Sequence, residues 1–351
     1  MEGAAAAGAA RPDWVMSLAE VEVGRVVGGG ALGEVRLGAY RGLQLALKEL
    51  YLLRTDAASL ARMGGIALSA AERRSLTETF LRECELLRSA VHPNVVPFIG
   101  VVVDREPRYL ATLYMRDGNL QELIHAERYA DMRPEQGGTL ALETQLVAAI
   151  DVFSALAYLA TLPLIHRDIK PANILIVVSA DRKLTKVLLA DFGEAKQLSQ
   201  TVTMHTVAGT PAYMAPEMRE DEVGTGPPAD TFSFGIALAE MSSGKQPNPG
   251  PEMRREGGRR VGVPEEERRA ADIAAVRHVE VRVVVQRCVV DDPQARATAA
   301  EMLEHCRNQL AVVREPPRIT VRLPLSRCPS GSALPLLTAA AAPPCRSSSS
   351  T

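Results

Sequence analysis

The sequence carries almost no excess of charge of either sign. Its 40 Lys and Arg against 42 Asp and Glu give a formal net charge of −2 over 351 residues. Nothing in that balance draws the chain toward nucleic acid or an anionic membrane surface. Paired cysteines are also missing. Cys84, Cys288, Cys306, Cys328 and Cys345 form no C-x-x-C motif. An odd count without metal spacing predicts free thiols in a reducing compartment, with Cys84 and Cys288 as small buried apolar side chains. The first ten residues are rich in Ala and Gly, and lack the basic start and long apolar stretch of a secretory signal. The most apolar region, 140–165, is interrupted by Glu143, Gln145 and Asp151. That pattern suits a buried helix better than a membrane span. No internal repeat is visible. These absences predict a cytoplasmic chain without an integral membrane segment or a nucleic-acid partner.

What is present is an ordinary globular composition, 46% hydrophobic and 23% charged, enough for a sizeable core. Residues 1–20 are expected to be a flexible leader. From 21 to 50, Val and Leu alternate with glycine and polar residues, with turns at 28–33 and at Arg41-Gly42, which predicts a small antiparallel sheet. Residues 70–90 place Phe80, Leu81, Cys84 and Leu87 at spacings of three and four, a helical pattern broken by His92-Pro93-Asn94. Strand-like runs follow at 95–103 and 109–114, and Asp117-Gly118 makes a turn. Beyond this point helices dominate, over 140–162, 231–242, 270–288 and 298–313, with short strands at 174–178 and 187–189. A sheet-rich part (21–115) joined to a helix-rich part (116–312) predicts an α+β molecule of two lobes. Residues 313–351 are rich in Pro, Ser and Ala and are expected to be disordered.

Several motifs carry chemistry. Gly28, Gly29, Gly30 and Gly33 lie in a G-x-G-x-x-G run, whose missing side chains let a backbone turn close over phosphates. Alone the run is a weak signal, equally satisfied by a glycine-rich hairpin with no ligand. A dinucleotide fold would need a helix directly after it, but Glu34-Val35-Arg36-Leu37 continues as a strand. Lys48 ends an alternating strand, and Glu83 lies on the 70–90 helix where its carboxylate could hold the ammonium. His166-Arg167-Asp168-Ile169-Lys170-Pro171-Ala172-Asn173 follows, then Asp191-Phe192-Gly193, then Ala215-Pro216-Glu217.

In that order these motifs resemble the eukaryotic protein kinase family, with its H-R-D-x-x-x-x-N catalytic loop, D-F-G and A-P-E. Asp291-Asp292-Pro293-Gln294-Ala295-Arg296 resembles the family's late segment, whose arginine pairs with the A-P-E glutamate, here Glu217. The resemblance extends from about residue 21 to 312 and implies the bilobal kinase fold, with ATP and Mg²⁺ as cofactors. It further implies these roles. The glycine loop covers the phosphates. Lys48 contacts the α- and β-phosphates and Glu83 orients it. Asp168 positions the acceptor hydroxyl, and Lys170 neutralises charge near the γ-phosphate. Asn173 and Asp191 hold Mg²⁺. Val35, Ala46 and Leu175 sandwich the purine, Thr112 is the gatekeeper, and Leu113-Tyr114-Met115 is the hinge. His166, Phe192, Leu87 and Phe98 form an apolar stack between the lobes, so His166 is expected as a packed histidine.

Lys170, two residues after Asp168, and Gly209-Thr210-Pro211-Ala212-Tyr213-Met214 resemble the serine/threonine form of the family. Phe98-Ile99-Gly100-Val101 resembles its tyrosine-kinase-like group. The expected partners are protein substrates with Ser/Thr acceptors, and an upstream kinase acting on Thr201, Thr203 or Thr206, whose phosphate Arg167 would clamp. A pseudokinase scaffold and a dual-specificity or tyrosine kinase are the alternatives. Departures from the pattern are Leu32 at the loop tip, 83 − 48 = 35 positions from Lys48 to Glu83, Phe232 where Trp is usual, and a Pro-, Gly- and charge-rich stretch at 244–269 whose helix is expected to be short or disordered.

Overall fold

The computed structural model describes residues 12–30, 33–49, 69, 71–72, 81, 84–85, 87–104, 106–134, 138–162, 164–192, 196–197, 210–219, 226–247, 253–256, 259–262 and 264–315. Glu83, Leu32, Gly193, the three activation-loop threonines and the expected tail beyond residue 315 lie outside these residues, while the first two positions expected as tail, 313 and 314, are the end of a helix.

A six-stranded sheet forms the N-terminal part. Its strands are β1 (Val15–Ser17), β2 (Glu22–Gly30), β3 (Gly33–Tyr40), β4 (Leu43–Glu49), β5 (Phe98–Asp104) and β6 (Glu106–Leu113), in the order β1-β5-β6-β4-β3-β2. β3 and β4 are joined by Arg41 and Gly42, both with positive φ (49° and 83°), the two-residue hairpin turn whose twist matches its strands. The β2–β3 hairpin pairs Gly28 with Val35, Gly29 with Glu34 and Gly30 with Gly33. The glycine run is therefore the tip of a hairpin, not the start of a helix.

Two expectations change here. Residues 14–20 are not a flexible leader. β1 pairs in parallel with β5, Val15 opposite Val101, followed by a 3₁₀ turn (Leu18–Glu20) with a Ser17–Glu20 capping box. The sheet thus has one parallel edge strand and is not wholly antiparallel. Burial drives the docking, because Trp14 is 7% and Met16 1% exposed. Gly100 permits it: a Cβ there would lie 2.1 Å from Trp14 O, so only glycine lets the two backbones approach.

The C-terminal part comprises α1 (Leu120–His125), α2 (Leu142–Thr161), β7 (Leu164–Ile165), β8 (Ile174–Val178), β9 (Leu184–Leu189), β10 (Lys196–Gln197), α3 (Pro216–Arg219), α4 (Pro227–Ser243), β11 (Met253–Glu256), β12 (Arg259–Gly262), α5 (Glu265–Ala274), α6 (Val279–Cys288) and α7 (Ala299–Arg314). Among the described residues α2 alone is long and apolar enough to cross a membrane. It is a core helix, packed against α7, α4 and β9, with Phe153 edge-on to Phe234 of α4 at 4.9 Å. α4 is buried on all sides from Ala229 to Ser242. It starts at two prolines and ends at Gly244 in the left-handed region (φ 70°), an arrangement suited to the Pro-first, Gly-last asymmetry of helices.

The single helix expected over 270–288 is two. The chain breaks after α5 so that Val276 is fully buried, and Arg282 caps the break by donating to Val276 O from Nε at 3.0 Å and Nη2 at 2.5 Å. Within 244–269, β11 and β12 pair as an antiparallel hairpin before α5 begins. α4 is longer than its sequence pattern, starting at Pro227.

Candidate active site

The catalytic loop is built on one buried carboxylate. Asp230, 3% exposed on α4, accepts from the backbone N–H groups of His166 and Arg167, both at 2.8 Å. Burial pushes its carboxyl above the ordinary range, and the facing His166 and the N–H groups of His166 and Arg167 oppose that shift. The two bonds hold Arg167 in the left-handed region (φ 69°), a conformation that costs a non-glycine residue about 1–2 kcal/mol. His166 is a packed histidine, as expected. Its ring donates from Nε2 to Ala190 O at 2.9 Å and accepts the Asp168 N–H at Nδ1 at 3.4 Å, while lying 4.7 Å from the Phe192 ring. Phe98, assigned to the same stack, packs beside Trp14, Cys84, Val101 and Leu110.

The loop then presents a polar cluster. Lys170 Nζ is 2.7 Å from Asp168 Oδ2 and donates to Thr210 Oγ1 at 2.8 Å. Thr210 donates to Asp168 Oδ1 from its backbone N at 3.1 Å and from Oγ1 at 3.0 Å. Asn173 Nδ2 donates to Asp168 O at 2.8 Å and Oδ2 at 2.9 Å. The Asp168 side chain is 11% exposed and that of Lys170 25%, so the cluster opens to solvent through a narrow face.

Across the cleft Lys48 pairs with Asp191. Asp191 stands in the left-handed region (φ 61°). Glu83, the expected partner of Lys48, lies outside the described residues. The apolar candidates share a pattern. On β4, Leu45 and Leu47 are fully buried while Ala46 and Lys48 between them are half-buried. On β8, Ile174 and Ile176 are fully buried while Leu175 is half-buried. Period-two alternation explains this: one strand face seals a core and the other looks into the cleft. Val35, Thr112, Leu113 and Met115 are half-buried too. Thr112 sits opposite Ala46 in the β4–β6 ladder, and Val35 opposite Lys48 in the β3–β4 ladder. Leu113 N donates to Pro97 O and Tyr114 N to Gln44 O, both at 3.0 Å.

The residues fit ATP and a hard cation. A Cβ on Gly28 would meet only Val35 Cβ, at an ordinary 3.9 Å, so the protein's own packing leaves that glycine's face open for a ligand. Among the described residues no three His, Cys, Asp or Glu gather as a metal cage. Asp191 and Asn173 offer hard oxygen atoms, which is how Mg²⁺ is held when phosphates and water complete its shell.

Two supporting contacts frame the acceptor side. Arg296, with a fully buried side chain, forms a fork with Glu217 of the A-P-E motif at 2.7 and 3.1 Å, the pairing expected from the sequence. The Arg269 and Arg296 guanidinium groups lie over the Phe232 ring, 5.7 and 4.9 Å from its centroid, so an aromatic face is kept at the position where Trp is usual. The sequence reading missed a third contact: Tyr213 donates to Glu240 Oε2 at 2.6 Å. Burial, and then Glu240, raise the phenol above its ordinary range, so Tyr213 stays protonated as the donor. The available signal was a lone glutamate inside the otherwise apolar end of α4.

A hairpin of glycines over a cleft, a lysine reaching an aspartate, and a loop aspartate held by lysine, asparagine and threonine define a phosphotransferase site. The chain belongs to the protein kinase family: residues 21–306 match the family model for the protein kinase domain. It is similar to the serine/threonine-protein kinase STY46 of Arabidopsis thaliana, 31% identical over 234 residues, which are 67% of this chain and 35% of that protein. It is similar also to VIK of the same plant, 32% identical over 249 residues, 67% of this chain and 49% of VIK, and to CTR1, 30% identical over 231 residues, 65% of this chain and 24% of CTR1. The chain therefore spans about a third to a half of the length of the first two.

Proposed function

We propose that the chain is an active ATP-dependent serine/threonine protein kinase. The observation that carries this is the Asp168–Lys170–Thr210 triangle. It joins the acceptor aspartate, a cation beside it, and the loop expected to dock the substrate. Phosphoryl transfer has a loose transition state, so the protein's work is positioning and charge stabilisation. In this reading Asp168 orients the Ser/Thr hydroxyl and accepts its proton. Lys170 neutralises charge near the γ-phosphate. Lys48 and the glycine hairpin hold the phosphates, with Glu83 as the partner of Lys48. Val35, Ala46 and Leu175 enclose the purine, beside Thr112 and the Leu113–Met115 hinge. Asp191 and Asn173 would hold Mg²⁺, which when bound neutralises charge on the β- and γ-phosphates.

The names of these relatives, each a serine/threonine-protein kinase, support serine/threonine specificity. Membership of the tyrosine-kinase-like group, a signalling role, an activating kinase for the loop carrying Thr201, Thr203 and Thr206, and a cytoplasmic location belong to the same proposal. The buried free thiols of Cys288 and Cys306 support the last. Lys48, Asp168 and Asp191 are all present, which disfavours a pseudokinase. Incubation with Mg-ATP and a Ser/Thr peptide library tests the proposal. Incorporation should fall at least about 10³-fold in Asp168→Asn, given what positioning and proton acceptance supply together. Equal labelling of the variant, or label on tyrosine alone, overturns it.

A further inference from the structure

Glu240 has a side-chain exposure of 0%, deep in α4. Its two oxygens are held by different parts of the molecule. Oε2 accepts from Tyr213, three residues beyond Thr210, and Oε1 lies 2.7 Å from Nε2 of His125, the last residue of α1. A buried carboxylate needs a donor at each oxygen, because an oxygen left bare keeps its full desolvation penalty. His125 supplies the second donor from a position 30% exposed. The Tyr213 backbone N donates to Thr210 O at 2.9 Å, and Thr210 bonds Asp168 and Lys170. One unbroken set of contacts thus runs from the end of α1, through α4, to the acceptor aspartate.

We infer that His125 is a positioning residue for substrate docking. By holding Glu240 it fixes Tyr213, and with it the Thr210–Tyr213 turn that faces the protein substrate. Without His125 the carboxylate has a bare oxygen and turns toward the one donor that remains or toward solvent, and Tyr213 moves with it. His125 touches neither ATP nor the reacting atoms, so its effect falls on the protein substrate. The inference rests on the proposed role of Asp168 and of the 209–214 loop.

The test is steady-state kinetics of the full chain with a peptide selected from the library above. His125→Ala should raise the peptide KM about 5- to 10-fold, the part of the cost of one unmade bond to a buried charged group that reaches the Thr210–Tyr213 turn rather than stability, with the ATP KM unchanged and kcat within about twofold. His125→Gln places an amide donor near Nε2 and should restore the peptide KM to within about twofold. Tyr213→Phe should raise the same KM, and His125→Ala added to it should raise it little further, since both act through Glu240. Melting temperatures separate positioning from unfolding. An unchanged peptide KM in His125→Ala overturns the inference, as does a variant whose kcat and ATP KM change with it and which Gln does not rescue. Asp168→Asn, run alongside, reports on the underlying reading: if it stays active the proposed function fails, whatever His125 does.

Discussion

Asp168, Lys170, Asn173 and Thr210 hold one another through hydrogen bonds within the protein. Ala46 and Leu175, elsewhere in the same cleft, stand half-buried on β4 and β8, whose opposite faces are sealed, and Val35 and Thr112 are half-buried as well. In the proposed reading the first is the acceptor side, closed by polar contacts, and the second is the nucleotide side, an apolar face left open. Directional chemistry explains the difference. A carboxylate that must meet a hydroxyl within a fraction of an ångström has to be set before the substrate arrives. Contact with a purine is non-directional, so a shaped apolar surface completed by the ligand is sufficient. The backbone carries the same division: Arg167 and Asp191 are held in left-handed conformations at the polar face, whereas Ala46 on β4 and Leu175 on β8 sit in regular ladder pairing.

The contrast can be broken most severely beneath the acceptor side. Arg296→Ala leaves Glu217 without its fork and should cost about 3–5 kcal/mol, read as a lower urea midpoint. ATP binding by the fraction that remains folded should be unaffected. Next is the anchor itself. Asp230→Asn keeps the shape of the side chain but faces an amide N–H₂ toward one of the two backbone donors. The catalytic loop then shifts, and kcat should fall about 10²-fold, the penalty for a displacement near 1 Å, with a loss of stability of about 1–3 kcal/mol from the buried N–H left without its acceptor. The smallest effect is expected on the nucleotide side. Val35→Ala removes part of the open face, and should raise the ATP KM about threefold while stability moves by less than about 1 kcal/mol, because the side chain is only half-buried. An equal loss of stability in Val35→Ala and Arg296→Ala would erase the distinction between the two sides.

The acceptor side was the more legible of the two in the sequence. His166 to Asn173 is one continuous loop, and its roles depend on residue types at short spacing, so the motif shows in the chain itself. The Arg296–Glu217 fork was also expected from its motifs, although its members lie far apart. The nucleotide side was legible only residue by residue, since half-burial follows from which face of a strand meets a core. The pairing of Glu240 with Tyr213 and His125 was not visible, because each of the three reads singly as an ordinary residue: a helix charge, a loop aromatic and a helix-terminal histidine.

By itself the sequence determined the order of the catalytic motifs, the hairpin character of the glycine run, the helical reach of α2 and α7, and the family to which the chain belongs. These follow from local rules: period, glycine and proline placement, and the residue types that phosphate chemistry requires. Only the tertiary structure decided that residues 14–20 dock on the sheet through β1, that 270–288 breaks to bury Val276, and that a carboxylate within α4 ties α1 to the Thr210–Tyr213 turn. In each of those cases the deciding partner is distant in sequence — β5 for Trp14, the C-terminal core for Val276, His125 for Glu240 — and no local pattern announces a partner that only folding brings into contact.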